Sequence, residues 1–231
     1  GISKDLKKSL DELQITDPTT IQKKCIPIIL DKRDDLVALA KTGTGKTAAF
    51  GLPLLQLINS KSTAVQAVIL APTRELAQQI HANLISYTSN NPDISIAALC
   101  GGIPIKPQIE VLKTPTQIIV ATPGRLVDLV KREVLDITKL KYLVLDEADE
   151  MVTALKDDLD TIIAGIPKAR RTFLFTATMS GAIKQMVQNY MSKHVVHIEA
   201  DMSTLGHKGI DHKYVVVEPI EKLDVLTHFL N

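Results

Sequence analysis

Apolar residues gather in short runs that recur along the first 200 residues: Leu36–Ala40, Ala67–Leu70, Ile96–Leu99, Ile118–Ala121, Tyr142–Leu145 and Thr172–Phe175. Each is too short for a helix and near-continuously apolar, which predicts strands buried on both faces. Between them, apolar positions fall at helical spacing, as in Leu76, Ala77, Ile80 and Leu84. Strands of this kind alternating with helices predict an α/β fold, with a mostly parallel sheet and helices on both faces. In such sheets ligands bind beyond the carboxyl ends of the strands. The residues just after each apolar run are therefore the places to search for chemistry.

The pattern changes near residue 200. Asp201–Gly209 carries Gly206 and Gly209 with little periodicity, which predicts a linker over 201–209. Tyr214–Val217 then reads as a strand and Glu221–Leu230 as a helix. A lone strand and helix cannot bury a core. Residues 210–231 are therefore expected to be the first piece of a second domain, after a first domain over 1–200. His194 and His197 bracket one further β-like run, and the histidines, lacking metal-ligand spacing, are expected to be structural or surface residues.

Composition narrows the class. A chain of 231 residues, 45% apolar and 23% charged, can bury a full core, which excludes disordered, collagen-like and disulfide-scaffold proteins. Lys and Arg total 27 against 26 Asp and Glu, so any nucleic-acid contact must come from local arrangement and not from net charge. Cys25 and Cys100 are far apart and are expected to be buried thiols in a reducing compartment. No apolar run reaches the roughly 20 residues of a membrane span, and GISKDLKKSL lacks a signal-peptide core. The expectation is a soluble, cytoplasmic protein.

The strongest chemical signal follows the first run: Ala40-Lys41-Thr42-Gly43-Thr44-Gly45-Lys46-Thr47, ahead of a helical pattern through Phe50, Leu54 and Leu57. Glycines let backbone N–H groups approach phosphates, the helix start adds positive potential, and Lys46 reaches the outer phosphates. Thr47 would offer its hydroxyl to Mg²⁺. Ala40 stands where the strict pattern has Gly. Asp146-Glu147-Ala148-Asp149 ends another strand, where Asp146 suits Mg²⁺ and Glu147 an attacking water. Taken alone, such an acidic loop is more often a helix cap or a solvated turn. Gln22, three residues after Thr19, has capping-box spacing, but its amide also matches the N6 and N7 edge of adenine.

Three more turns follow strands: Pro72-Thr73-Arg74, Gly101-Gly102 and Thr122-Pro123-Gly124-Arg125. Thr122 and Pro123 form an ordinary helix start. Together, though, such hydroxyls, arginines and glycine backbone suit sugar-phosphate contacts that position a strand without reading its bases. Thr176-Ala177-Thr178 by itself reads as a hydroxyl-rich turn.

In this order, the motifs closely resemble the DEAD-box family of ATP-dependent RNA helicases over residues 1–200. The resemblance implies a RecA-like P-loop NTPase lobe, with ATP and Mg²⁺ as cofactors and RNA as partner. It implies that Gln22 reads adenine and that Thr42, Gly43, Thr44, Gly45, Lys46 and Thr47 hold the phosphates. Asp146 and Glu147 would manage Mg²⁺ and water, with Lys46 in the catalytic set. Pro72, Thr73, Arg74, Gly101, Gly102, Thr122, Gly124 and Arg125 would hold the RNA backbone. Asp149, Thr176 and Thr178 would couple nucleotide state to lobe closure. Thr176 replaces the family's usual Ser and keeps the hydroxyl. Ile15 replaces a frequent aromatic, and the family's aromatic upstream of the Gln motif falls before Gly1. A second, C-terminal helicase lobe is expected beyond residues 210–231. Two alternatives stay open: an ATP-dependent RNA clamp or assembly factor, and an unrelated P-loop enzyme such as a small-molecule kinase.

Overall fold

Each of the six apolar runs read as strands within the first 200 residues pairs into one parallel sheet in the computed structural model, which describes residues 1–31, 33–200, 215–218 and 222–230. The strands are β1 (Asp35–Leu39), β2 (Ala67–Leu70), β3 (Ile96–Leu99), β4 (Ile118–Ala121), β5 (Tyr142–Leu145) and β6 (Arg171–Thr176). A seventh, β7 (Val195–Glu199), extends the β-like run between His194 and His197 and is only partly buried. Their order is β3-β4-β2-β5-β6-β1-β7. The register pairs Leu99 with Ala121, Leu70 with both Ala121 and Leu145, and Leu39 with Thr176. The strands therefore finish almost level, and the loops after them share one edge of the sheet.

Alternate residues of each strand point to opposite faces, and the core divides accordingly. Leu36, Ala38, Ile69, Val120, Phe173 and Phe175 belong to one apolar layer. Val37, Val68, Leu70, Ile119 and Leu174 belong to the other. The first layer is closed by α1 (Lys4–Glu12), α2 (Thr20–Asp31), α3 (Lys46–Leu57) and α4 (Arg74–Tyr87). The second is closed by α5 (Ile105–Val111), α6 (Pro123–Lys131), α7 (Ala148–Ala154), α8 (Lys156–Ala164) and α9 (Gly181–Tyr190). Phe50 of α3 meets Phe175 with ring centroids 5.2 Å apart and tilted by 60°. That geometry adds about 0.5–1.5 kcal/mol to the burial of the two rings. Ser3, Thr73 and Ser180 start their helices by accepting side-chain bonds from Leu6, Leu76 and Ile183 N–H. Each cap contributes about 1 kcal/mol.

The chain divides into two units, Gly1–Asp201 and Met202–Asn231. The linker expected over 201–209 lies outside the described residues. In the second unit α10 (Lys222–Leu230) forms where the helical run predicts it. Residues 215–218 have no regular structure, so the strand expected over Tyr214–Val217 is absent from its described part. A single strand without a partner has no ladder to complete. Both cysteines are buried and free, and burial pushes the Cys25 thiol up to about 12, which leaves it inert. No helix among the described residues is long and apolar enough to cross a membrane.

Candidate nucleotide and nucleic-acid site

Residues 40–45 turn from the end of β1 into α3. Gly43 and Gly45 take φ of 81° and 90°, the left-handed region that side chains avoid. Gly45 is doubly required, because a Cβ there would lie 2.5 Å from Gln22 Nε2. The turn delivers Lys46, 5% exposed, to the sheet edge at the first position of α3. Its ammonium faces the loop after β5, 2.6 Å from Glu147 Oε1 and 3.4 Å from Asp146 Oδ1. Thr42 Oγ1 donates to the same Glu147 oxygen at 2.8 Å, and Thr44 Oγ1 donates to Lys41 O at 2.7 Å. Thr47 sits one residue into α3, half-buried beside Lys46.

β5 ends in two buried acids. Asp146 is 2% exposed and accepts the Glu147 N–H at 3.1 Å. Burial, reinforced by the Glu147 charge and opposed by Lys46, pushes its carboxyl up to about 6. Glu147 has φ 50° and ψ 51°, an uncommon conformation for a residue with a side chain. It stands at the N-cap of α7 without making a side-chain cap bond, so the helix-cap alternative is not the geometry adopted. Its carboxylate is turned across to Lys46 and Thr42. Among the described residues no three His, Cys, Asp or Glu side chains gather into a metal cage. The oxygen donors of Asp146 and Thr47 do fit a Mg²⁺ ion that takes its remaining ligands from phosphates and water.

Gln22 takes the capping position that its spacing predicts and leaves part of its amide open. Its Oε1 accepts Thr19 N–H at 3.0 Å, half of a capping box, while its Nε2 donates to Gly45 O at 3.1 Å. One lone pair and one amide hydrogen are left for another partner. Beside it lies a cavity of about 450 Å³ with Ile15, Pro18, Ile26 and Leu52 in its walls and no aromatic side chain.

The remaining candidates collect around a second, open groove of about 440 Å³ after β2, β3 and β4, lined by Pro72, Arg74, Gly101, Thr122, Gly124 and Arg125. Gly102 adjoins this group with φ 75°. Thr73 accepts Leu76 N–H at 3.2 Å to cap α4, which still leaves its hydroxyl hydrogen to donate. Thr122 caps α6 by position but without a side-chain cap bond. Its Oγ1 accepts Gly101 N–H at 3.0 Å and ties the two loops together. Arg125 Nη2 donates to Ile103 O at 3.0 Å, while Nη1 is buried with no hydrogen-bond partner. Arg74 pairs with Glu75 at 3.0 Å in solvent, a contact easily exchanged for a phosphate. Joining the loops after β5 and β6, Thr178 Oγ1 donates to Asp149 Oδ2 at 3.0 Å, and Thr176 Oγ1 donates to Thr178 O at 2.9 Å.

Two residues at or behind the groove escaped the sequence reading. Asp158, from the first turn of α8, lines the groove, and one of its oxygens would lie 3.2 Å from a Cβ on Gly124. Nothing in sequence links α8 to α6. Gln108 of α5 is buried and bonds both backbone groups of Cys100. It shares the helix face of Ile105, Ile109 and Leu112, and a polar side chain in that apolar stripe is the signal that could have found it.

The DEAD/DEAH box helicase family model matches residues 19–186. The DEAD-box ATP-dependent RNA helicase CshA of Streptococcus pneumoniae is 38% identical over all of this chain and 44% of its own length. The ATP-dependent RNA helicase DeaD of Escherichia coli K12 is 40% identical over all of this chain and 36% of its own length. The chain thus spans less than half the length of these curated relatives. A crystal structure of a DEAD box protein from Methanococcus jannaschii superposes with a TM-score of 0.83 at 36% identity, covering all of this chain and 61% of that one. A hypothetical ATP-dependent RNA helicase from Sulfolobus tokodaii gives 0.78 at 33% identity, over 86% of this chain and 57% of that one. The matched region takes in the Gly-rich loop, both acidic residues and every turn of the second groove, and the chain belongs to the DEAD/DEAH box helicase family.

Proposed function

We propose that this chain is the N-terminal, nucleotide- and RNA-binding lobe of a cytoplasmic two-lobed ATP-dependent RNA helicase. In this reading residues 1–200 form the lobe, 201–209 link it onward, and 210–231 begin the C-terminal lobe. The observation that carries it is the convergence of two loops, distant in sequence, on one ion-paired cluster: Lys46, Thr42, Asp146 and Glu147. A phosphate chain entering the loop would take Lys46 from Glu147, and the freed carboxylate would orient and deprotonate the attacking water. Thr47 and Asp146 would hold Mg²⁺, which when bound neutralises charge on the phosphates. Gln22 would meet the adenine edge with its spare donor and acceptor.

The RNA strand would lie along the second groove, its phosphates taken by Arg74, Arg125, the Thr73 and Thr122 hydroxyls and the Gly101–Gly102 backbone, without base readout. Asp149, Thr178 and Thr176 join the loops after β5 and β6 and would pass nucleotide state onward to the RNA side. The test is RNA-dependent ATPase activity at full length beside that of this chain. RNA-stimulated turnover at full length and little in the chain alone is the expected result, since a catalytic arginine from outside the lobe is worth orders of magnitude. ATP turnover at full length that ignores RNA would overturn the proposal.

A further inference from the structure

Gln108 touches neither proposed ligand site, yet three of the groove's candidate RNA contacts depend on the loop it grips. Its Oε1 accepts Cys100 N–H at 3.0 Å, and its Nε2 donates to Cys100 O at 3.1 Å and Pro104 O at 3.2 Å. The side chain is 6% exposed, so these bonds form away from water, where they hold their geometry firmly. They bracket residues 100–104 from both ends. Within that bracket Gly101 N–H reaches Thr122 Oγ1, Gly102 takes φ 75°, and Ile103 O holds Arg125 Nη2. Cys100 and Ile103 pack at its two sides, but Gly101 and Gly102 between them bring no side chains, so the turn itself is held by backbone bonds.

We infer that Gln108 is a positioning residue for RNA binding, presetting the Gly101–Gly102 turn and, through Ile103, the Arg125 guanidinium. The inference rests on the proposed RNA site. Only an amide of this length serves: a carboxylate accepts from Cys100 N–H but cannot donate to Cys100 O and Pro104 O. An ordered loop spares the strand the cost of ordering it on binding, so loss of the bracket lowers RNA affinity and leaves the distant nucleotide loop alone.

The test compares Gln108→Glu and Gln108→Met with wild type in the full-length protein, reading a single-stranded oligoribonucleotide and ATP separately. RNA affinity should fall about tenfold in both variants while ATP affinity in the absence of RNA stays within twofold. Combining Gln108→Glu with Arg125→Ala should cost less than the sum of the two, because both act through one loop. RNA affinity unchanged in the variants, ATP affinity falling in parallel, full additivity with Arg125→Ala, or failure of both variants to fold would each overturn the inference. A wild-type protein that binds no RNA would instead remove the functional proposal beneath it.

Discussion

Lys46 Nζ lies 2.6 Å from Glu147 Oε1, so the cation proposed to meet a nucleotide's phosphates is held by the acid proposed to activate water. Thr42 closes the same contact from the other side of the loop. The Lys46 charge is met from within the cluster, and in the proposed function a phosphate would compete with a carboxylate for that buried ammonium.

Replacing Glu147 with Gln should expose that competition. The amide keeps the shape and loses the charge, so ATP affinity is expected to rise by about three- to tenfold while hydrolysis falls at least about a hundredfold, the usual reach of a general base. Titration with a fluorescent ATP analogue and single-turnover hydrolysis measure the two effects. An unchanged affinity would mean that the Lys46–Glu147 pair does not oppose binding.

Asp146 predicts a pH dependence of stability. Its carboxyl is raised from an ordinary 3.8 to about 6, mainly by burial. The folded state therefore favours the protonated acid; the contribution is complete below about pH 4 and is lost as pH rises through about 6. Asp146→Asn should stabilise the nucleotide-free chain at pH 7 by about 1–3 kcal/mol and by almost nothing at pH 4. Thermal unfolding at the two pH values checks this. An equal shift at both would show that the charge of Asp146 is not the cause.

Gln22→Ala removes a bond to Thr19 N–H and another to Gly45 O. Stability should fall by about 1 kcal/mol, and the preference for ATP over GTP should drop by about tenfold. Competition between the two nucleotides, measured beside a melting curve, separates the effects. The same loss of stability with selectivity intact would reduce Gln22 to a helix cap.

Arg125→Ala should weaken binding about equally for oligoribonucleotides of different sequence and reduce the slope of affinity against salt by about one. Losing its bond to Ile103 O adds a stability cost of about 1 kcal/mol. Affinities measured across several salt concentrations would count against a phosphate contact if the change followed base sequence.

Much of this was legible in the chain. β2, β3, β4 and β5 lie on the residues that their apolar runs predict, because a strand buried on both faces leaves a local signature. Gly43 and Gly45 marked a glycine-rich turn, and the backbone there takes positive φ at both. Local spacing was less informative where a side chain had a choice of partners. Thr122 reads as a cap and instead holds Gly101, while Glu147, taken alone, reads more often as part of a cap or solvated turn and turns to Lys46. Those choices depend on which strand lies alongside.

The sequence alone marked the strands of the sheet, the turns after them and the side chains each turn offers, since all of these depend on neighbours a few residues apart. Only the tertiary structure decided their arrangement. The order β3-β4-β2-β5-β6-β1-β7 sets the turns after β5, β6 and β1 side by side as the proposed nucleotide cluster, and those after β3, β4 and β2 as the groove. Apolar runs of similar length and composition can pair in many orders, and nothing local to any of them ranks the alternatives. The selection comes from packing two helical layers onto two sheet faces at once, and the same packing brings Gln108 onto Cys100 and Glu147 onto Lys46.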